Sequence, residues 1–101
     1  MHFARMSVWT FKKGQREKGL SMLDERISST ARATKGYRGS LQLLSEEAAD
    51  RATIITIWES EETREASAKG VFKDSIGVLE QYIEGSPNVS NFKLSDAEIR
   101  I

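Results

Sequence analysis

In the stretch "HFARMSVWTF", residues 2 to 11, an arginine, a serine and a tryptophan stand at every second position. Alternate side chains of an extended strand share a face, so Arg5, Ser7 and Trp9 would look the same way. A guanidinium can stabilise a developing oxyanion, and a hydroxyl can orient a carbonyl or phenol beside it. An indole can wall the dry, apolar pocket such chemistry needs. Tyr82 is a further hydroxyl able to orient a substrate oxygen. Arg5, Ser7 and Tyr82 are therefore the candidates for catalysis. Ser7, Trp9, Trp58, Phe72, Ile76 and Leu79 are the candidates for a pocket lining. Each has a plainer reading. A large aromatic at a strand end, such as Trp58, packs as core or interface more often than as a pocket wall. Phe72, Ile76, Leu79 and Ile83 make one helical stripe, which is core first and lines a pocket only where it also seals one.

Other chemistries are excluded. With no cysteine there is no thiolate metal site, disulfide or cysteine nucleophile. The single histidine, His2, stands beside the first methionine with no second imidazole to join it. Glu46 with Glu47 and Glu61 with Glu62 are adjacent in sequence rather than convergent, so no metal site is expected. "GQREKG", residues 14 to 19, is a turn and a helix start, not a phosphate cradle. No serine–histidine–acid set can be assembled, and no general base is visible. No cofactor is expected.

The elements that must position these residues follow from pattern. Residues 2 to 11 read as a strand with apolar groups on both faces, Phe3, Trp9 and Phe11 against Met6 and Val8. From Gln15 to Ala33 the period changes to that of a helix, with Leu20, Leu23, Ile27 and Ala31 in one stripe. Gly36 suits a left-handed cap ending it. Residues 37 to 45 and 52 to 59 read as two strands joined by the acidic loop "SEEAAD". Ser60 is a good N-cap, with Glu61 and Glu62 where the helix dipole favours negative charge. That helix ends near Gly70, and a second carries the Phe72 stripe to Gly85, Ser86 and Pro87. A last strand spans 88 to 94, and residues 95 to 101 form a tail with weak signals, frayed or lying along a partner.

The order strand, helix, strand, strand, broken helix, strand is the α+β, ferredoxin-like split βαβ pattern, a four-stranded antiparallel sheet with helices on one face. A chain of 101 residues makes one domain, 1–101, with its core at about 2–94. Nothing is left to cover the other face of the sheet, so a homodimer is expected, sheet against sheet. Such a contact would bury about 800 Å² per partner, the scale of a stable interface. Fifteen basic and fifteen acidic residues cancel, and no basic stripe is present. Nucleic acid and membrane partners are therefore not expected. No apolar run approaches the ~18 residues of a membrane span, and no signal peptide is read, which fits a cytoplasmic protein.

With that layout in place, "ITIWESEE" at 55 to 62, "KGYRGSLQLL" at 35 to 44, "VFKDS" at 71 to 75 and "FKKGQREK" at 11 to 18 resemble the antibiotic-biosynthesis monooxygenase family. The likeness runs over residues 3 to 94 in the same order. It implies a ferredoxin-like protomer, a homodimer closing a dimeric α/β-barrel, and a pocket between each sheet and its own helices. One branch of that family oxidises electron-rich aromatic compounds with dioxygen and no cofactor. Another degrades haem, using an asparagine on the first strand, a tryptophan in the helix after "WES" and a histidine after "VFK". The matching positions here hold Ser7, Ala66 or Ser67, and Ile76, so haem degradation is disfavoured. The asparagine and tyrosine frequent in the cofactor-free branch are matched by Ile54 and Arg64. Two functions stand: cofactor-independent oxidation of a small aromatic or quinone-like compound, or a non-catalytic dimeric module binding a small apolar ligand or serving assembly.

Overall fold

In the computed structural model, which describes residues 1–101, the chain folds as β1 (His2–Thr10), α1 (Arg16–Arg26), α2 (Ser28–Ala33), β2 (Tyr37–Leu44), β3 (Arg51–Trp58), α3 (Glu61–Lys69), α4 (Val71–Leu79), a 3₁₀ turn (Glu80–Tyr82) and β4 (Asn88–Leu94). The sheet order is β2-β3-β1-β4, with every neighbouring pair antiparallel. This is the expected ferredoxin-like βαββαβ layout, with the chemically interesting strand β1 in the interior of the sheet.

Strand parity sorts the side chains into rows. On the helix side, Tyr37, Trp58 and Phe3 make one cross-strand row, Ser40, Thr56 and Arg5 the next, Gln42, Ile54 and Ser7 the third, and Ala52 and Trp9 the fourth. Both tryptophans therefore lie under the helices. The opposite face carries Leu41, Ile55 and Met6 in one row and Ile57, Ala4 and Phe92 in another. No element of the protomer covers that face, and Leu43 and Phe92 are 50% and 48% exposed.

Caps and turns fall where their chemistry demands. Ser60 and Thr63 form a reciprocal capping box at the start of α3, the Ser60 hydroxyl accepting from the Thr63 amide at 3.1 Å. Gly36 has φ of 84°, but α2 is capped by Thr34 in extended backbone, so Gly36 serves the entry to β2 rather than the helix end. A Cβ there would lie 2.5 Å from Thr63, so α3 packs down onto bare backbone. The one helix expected over residues 15 to 33 is two. It breaks at Ile27, whose φ is −118°, although the Ile27 amide still donates to Leu23 O at 2.8 Å. Ser28, Ser29 and Thr30 follow the break directly, and short hydroxyl side chains favour a continuous helix less because they compete with the backbone ladder. Thr34 does so at the far end of α2, bonding Thr30 O at 2.8 Å.

The core gathers Trp9, Phe11, Leu20, Ala52, Leu79, Tyr82 and Ile83. Gly19 lets α1 sit against it, because a Cβ would fall 2.5 Å and 2.8 Å from Phe11 ring carbons and 3.3 Å from Tyr82 Cβ. Glycine to alanine in an open helix gains about 1 kcal/mol. Here Phe11 is 1% exposed and has nowhere to go. Gly19→Ala is expected to lower the unfolding free energy by about 1 kcal/mol or more. A stabilised variant in urea titration would refute the close packing.

Candidate functional site

Between the helix side of the sheet and α1, α2 and the start of α4 lies a cavity of about 170 Å³. Arg5, Ser7 and Trp9 on β1, Ile54, Thr56 and Trp58 on β3, and Tyr37, Ser40 and Gln42 on β2 supply its floor. Ile27, Ala31 and Phe72 are among the residues that roof it, and Asp24 and Arg32 stand exposed at its rim. Aromatic pairs close the two ends. Trp9 meets Phe72 edge-on at 6.0 Å, and Tyr37 meets Trp58 edge-on at 5.7 Å.

The expected residues divide. Ser7, Trp9, Trp58 and Phe72 line the cavity, and so does Arg5. Ile76, Leu79 and Tyr82 do not: Leu79 and Tyr82 belong to the buried core, and Ile76 packs against it. Beyond Phe72, the helical stripe closes the core beneath the cavity instead of lining it. Tyr82 Cβ packs beside Gly19, and its ring centre lies 6.0 Å from Lys18 Nζ. The β2 wall, Thr56 and the α1–α2 roof were missed. Their signal was parity, since Thr56 shares its strand face with Trp58, but parity alone did not say which face held the helices.

Each tryptophan is fixed by a hydroxyl two residues earlier on its own strand. Trp9 Nε1 donates to Ser7 Oγ at 2.8 Å, and Trp58 Nε1 donates to Thr56 Oγ1 at 2.9 Å. The consequences differ. Ser7 spends its proton on Ile54 O at 3.3 Å, whereas the Thr56 hydroxyl has no protein acceptor and can donate into the cavity.

Arg5 is 4% exposed. Its Nη2 donates to Arg64 O and, at 2.8 Å, to Ser67 Oγ, both on α3. Ser67 Oγ in turn donates to Arg64 O at 2.6 Å. The guanidinium carbon lies 4.7 Å from the centre of the Phe72 ring. No carboxylate pairs with Arg5; Glu65 pairs with Arg64 at 3.0 Å instead. Burial pulls the Arg5 guanidinium below the usual arginine value, Glu65 opposes that, and Arg64 adds to it. Arginine keeps its proton even so, which leaves a desolvated cation beside the cavity. Ser67, not Ala66, is the member of that pair facing the sheet, since Ser67 is buried and Ala66 exposed.

Asp24 is the one carboxylate among the lining residues, and no histidine is present there. No group of His, Cys, Asp and Glu side chains converges as a metal site would. Ile76, which the resemblance matches to a haem-ligand position, packs against the core. No helix is long and apolar enough to cross a membrane.

No family model matches the chain, and no curated protein matches its sequence. Solved structures do match its fold. A provisionally named antibiotic biosynthesis monooxygenase from Bordetella bronchiseptica superposes with TM-score 0.79 at 14% identity, over 92% of this chain and 96% of that one. Another with the same provisional name, from Chloroflexus aurantiacus, gives 0.75 at 18% identity over 97% of each chain. A protein of unknown function from Nitrosomonas europaea gives 0.81 at 17% identity, over 99% and 95%. The whole chain therefore has the fold of these proteins.

Proposed function

We propose that the chain is a cofactor-independent monooxygenase of the antibiotic-biosynthesis type, acting as a homodimer on a small aromatic or quinone-like compound. The observation that carries this is Arg5, a buried cation without a carboxylate partner, opening on an aromatic-walled cavity. A substrate phenol or enol placed there is stabilised as its oxyanion by a charge already fixed in position. The ionised, electron-rich ring passes an electron to dioxygen, and the resulting pair combines at a ring carbon as a peroxide. Loss of water from the peroxide leaves a carbonyl, so a methylene compound plus O₂ gives the ketone plus H₂O. The proton released on ionisation passes to the rim, where Asp24 is available to accept it, and returns to the peroxide before water is lost. Closed aromatic ends keep water from the reacting carbon.

Support for the dimer comes from the uncovered apolar face, and two such faces packed together would make the α/β-barrel. The names of the matching structures support the oxidative reading, as does one from Bacteroides thetaiotaomicron described as a possible oxidoreductase, at 16% identity.

A second reading, a non-catalytic module binding a small apolar ligand, is favoured by the shortage of proton-accepting side chains in the cavity. Oxygen consumption with a panel of single-ring phenols and hydroquinones separates the two. Uptake above the buffer rate is expected, falling on the order of 100-fold in Arg5→Ala. Uptake no faster than buffer, or identical rates for wild type, Arg5→Ala and Ser7→Ala, would leave only the binding module.

A further inference from the structure

We infer that Ser67 is a specificity-determining residue: by holding Nη2 of Arg5 it fits the cavity to an aromatic ring bearing a single charged oxygen and against aromatic carboxylates. This deepens the reading of the same cavity as the working site and rests on it.

The argument begins with guanidinium geometry. A carboxylate is gripped best by two parallel N–H donors, and a guanidinium has two such forks, Nη1 with Nη2 and Nε with Nη2. Both include Nη2. In this protein Nη2 is the nitrogen bound to α3, through Arg64 O and through Ser67 Oγ at 2.8 Å. Nη1 and Nε of Arg5 donate to no protein atom, and neither is among the sealed, unpartnered polar atoms, of which Arg16 Nε is the one example. They therefore remain accessible, on a residue that lines the cavity. A carboxylate would have to compete with α3 for Nη2, whereas a phenolate or enolate needs one free donor. Thr56, the cross-strand partner of Arg5, offers a second donor whose proton is unspent.

Size and walls supply the rest. An engineered apolar cavity of about 150 Å³ takes benzene. The cavity here, about 170 Å³, encloses one ring between the Trp9–Phe72 and Tyr37–Trp58 pairs. A single buried cation matches a single negative charge, not a phosphate dianion. Ser67 is 2% exposed and touches Arg5 rather than the cavity, so it acts as a positioning residue.

The test uses the full chain and two dyes of one ring each, 4-nitrophenol and 4-nitrobenzoate. Binding is followed by quenching of Trp9 and Trp58 fluorescence, and ionisation of the phenol by its long-wavelength absorption. Wild type is expected to bind 4-nitrophenol as the phenolate, with its apparent pKa lowered, at least tenfold more tightly than 4-nitrobenzoate. Arg5→Met removes the pKa change. Ser67→Ala frees one side of Nη2 and narrows the preference or reverses it, which a merely structural serine would not do. Equal wild-type affinity for both dyes, a bound phenol that stays neutral, or an unchanged preference in folded Ser67→Ala would overturn the inference. Turnover plays no part in these measurements. Dye selectivity without oxygen uptake would sink the oxidation reading alone, and uptake without dye selectivity would sink this inference alone.

Discussion

Ile55→Asp is expected to give a folded monomer, where wild type at micromolar concentration is expected to have the mass of a dimer. Ile55 sits in the uncovered face of β3 between Leu41 and Met6, half-buried by those neighbours alone. In an isolated protomer its carboxylate would reach water, and the cost is the strand preference, within about 1 kcal/mol. In a two-fold interface the change is made twice, and each copy buries an unpaired charge. The effective penalty is several kcal/mol per ion. An interface of about 800 Å² per partner does not survive such a loss. Light scattering coupled to size exclusion gives the masses, and circular dichroism checks the fold. A monomeric wild type, or a variant that stays dimeric, would remove the dimer from the account.

Trp9→Ala should cost about 3–5 kcal/mol of stability. Trp9 is 1% exposed, stacks edge-on with Phe72 and hydrogen-bonds Ser7, and Ala52 beside it is already small and cannot expand to fill the hole. A domain of this size has roughly 5–15 kcal/mol in total. At about 4–8 °C per kcal/mol, the melting temperature should fall by more than about 12 °C. The lost indole is also one end of the cavity, so any surviving folded protein should admit larger rings than wild type. A loss under about 1 kcal/mol in thermal or urea unfolding would show that Trp9 is not the keystone of this core.

Much of the architecture could be read from local pattern because its determinants are local. The alternation of Arg5, Ser7 and Trp9 needs only the period of a strand, and Ser60 announces α3 through chemistry confined to four residues. The break at Ile27 escaped because the apolar stripe runs through it, from Leu23 to Ala31, while the hydroxyl-rich residues that bend the chain lie on other faces. The site was half legible. Trp58 and Phe72 were found by type. Tyr37, Ser40 and Gln42 were passed over because on an edge strand they look like ordinary surface residues. Tyr82 looked usable as an isolated hydroxyl, yet it follows the last turn of α4 into the core. The bond from Arg5 to Ser67 spans 62 positions, and nothing in either neighbourhood foretells it.

One feature of β1 bears on how this protein can change over time. Odd-numbered positions from Arg5 to Phe11 serve the cavity and core, and even-numbered ones from Ala4 to Val8 serve the opposite surface. The strand is thus read in two interleaved frames. Substituting Val8 edits one frame and leaves the other intact, but inserting or deleting a single residue exchanges them and sends Arg5 to the wrong side. Drift by replacement is open to this strand, and drift by length is closed.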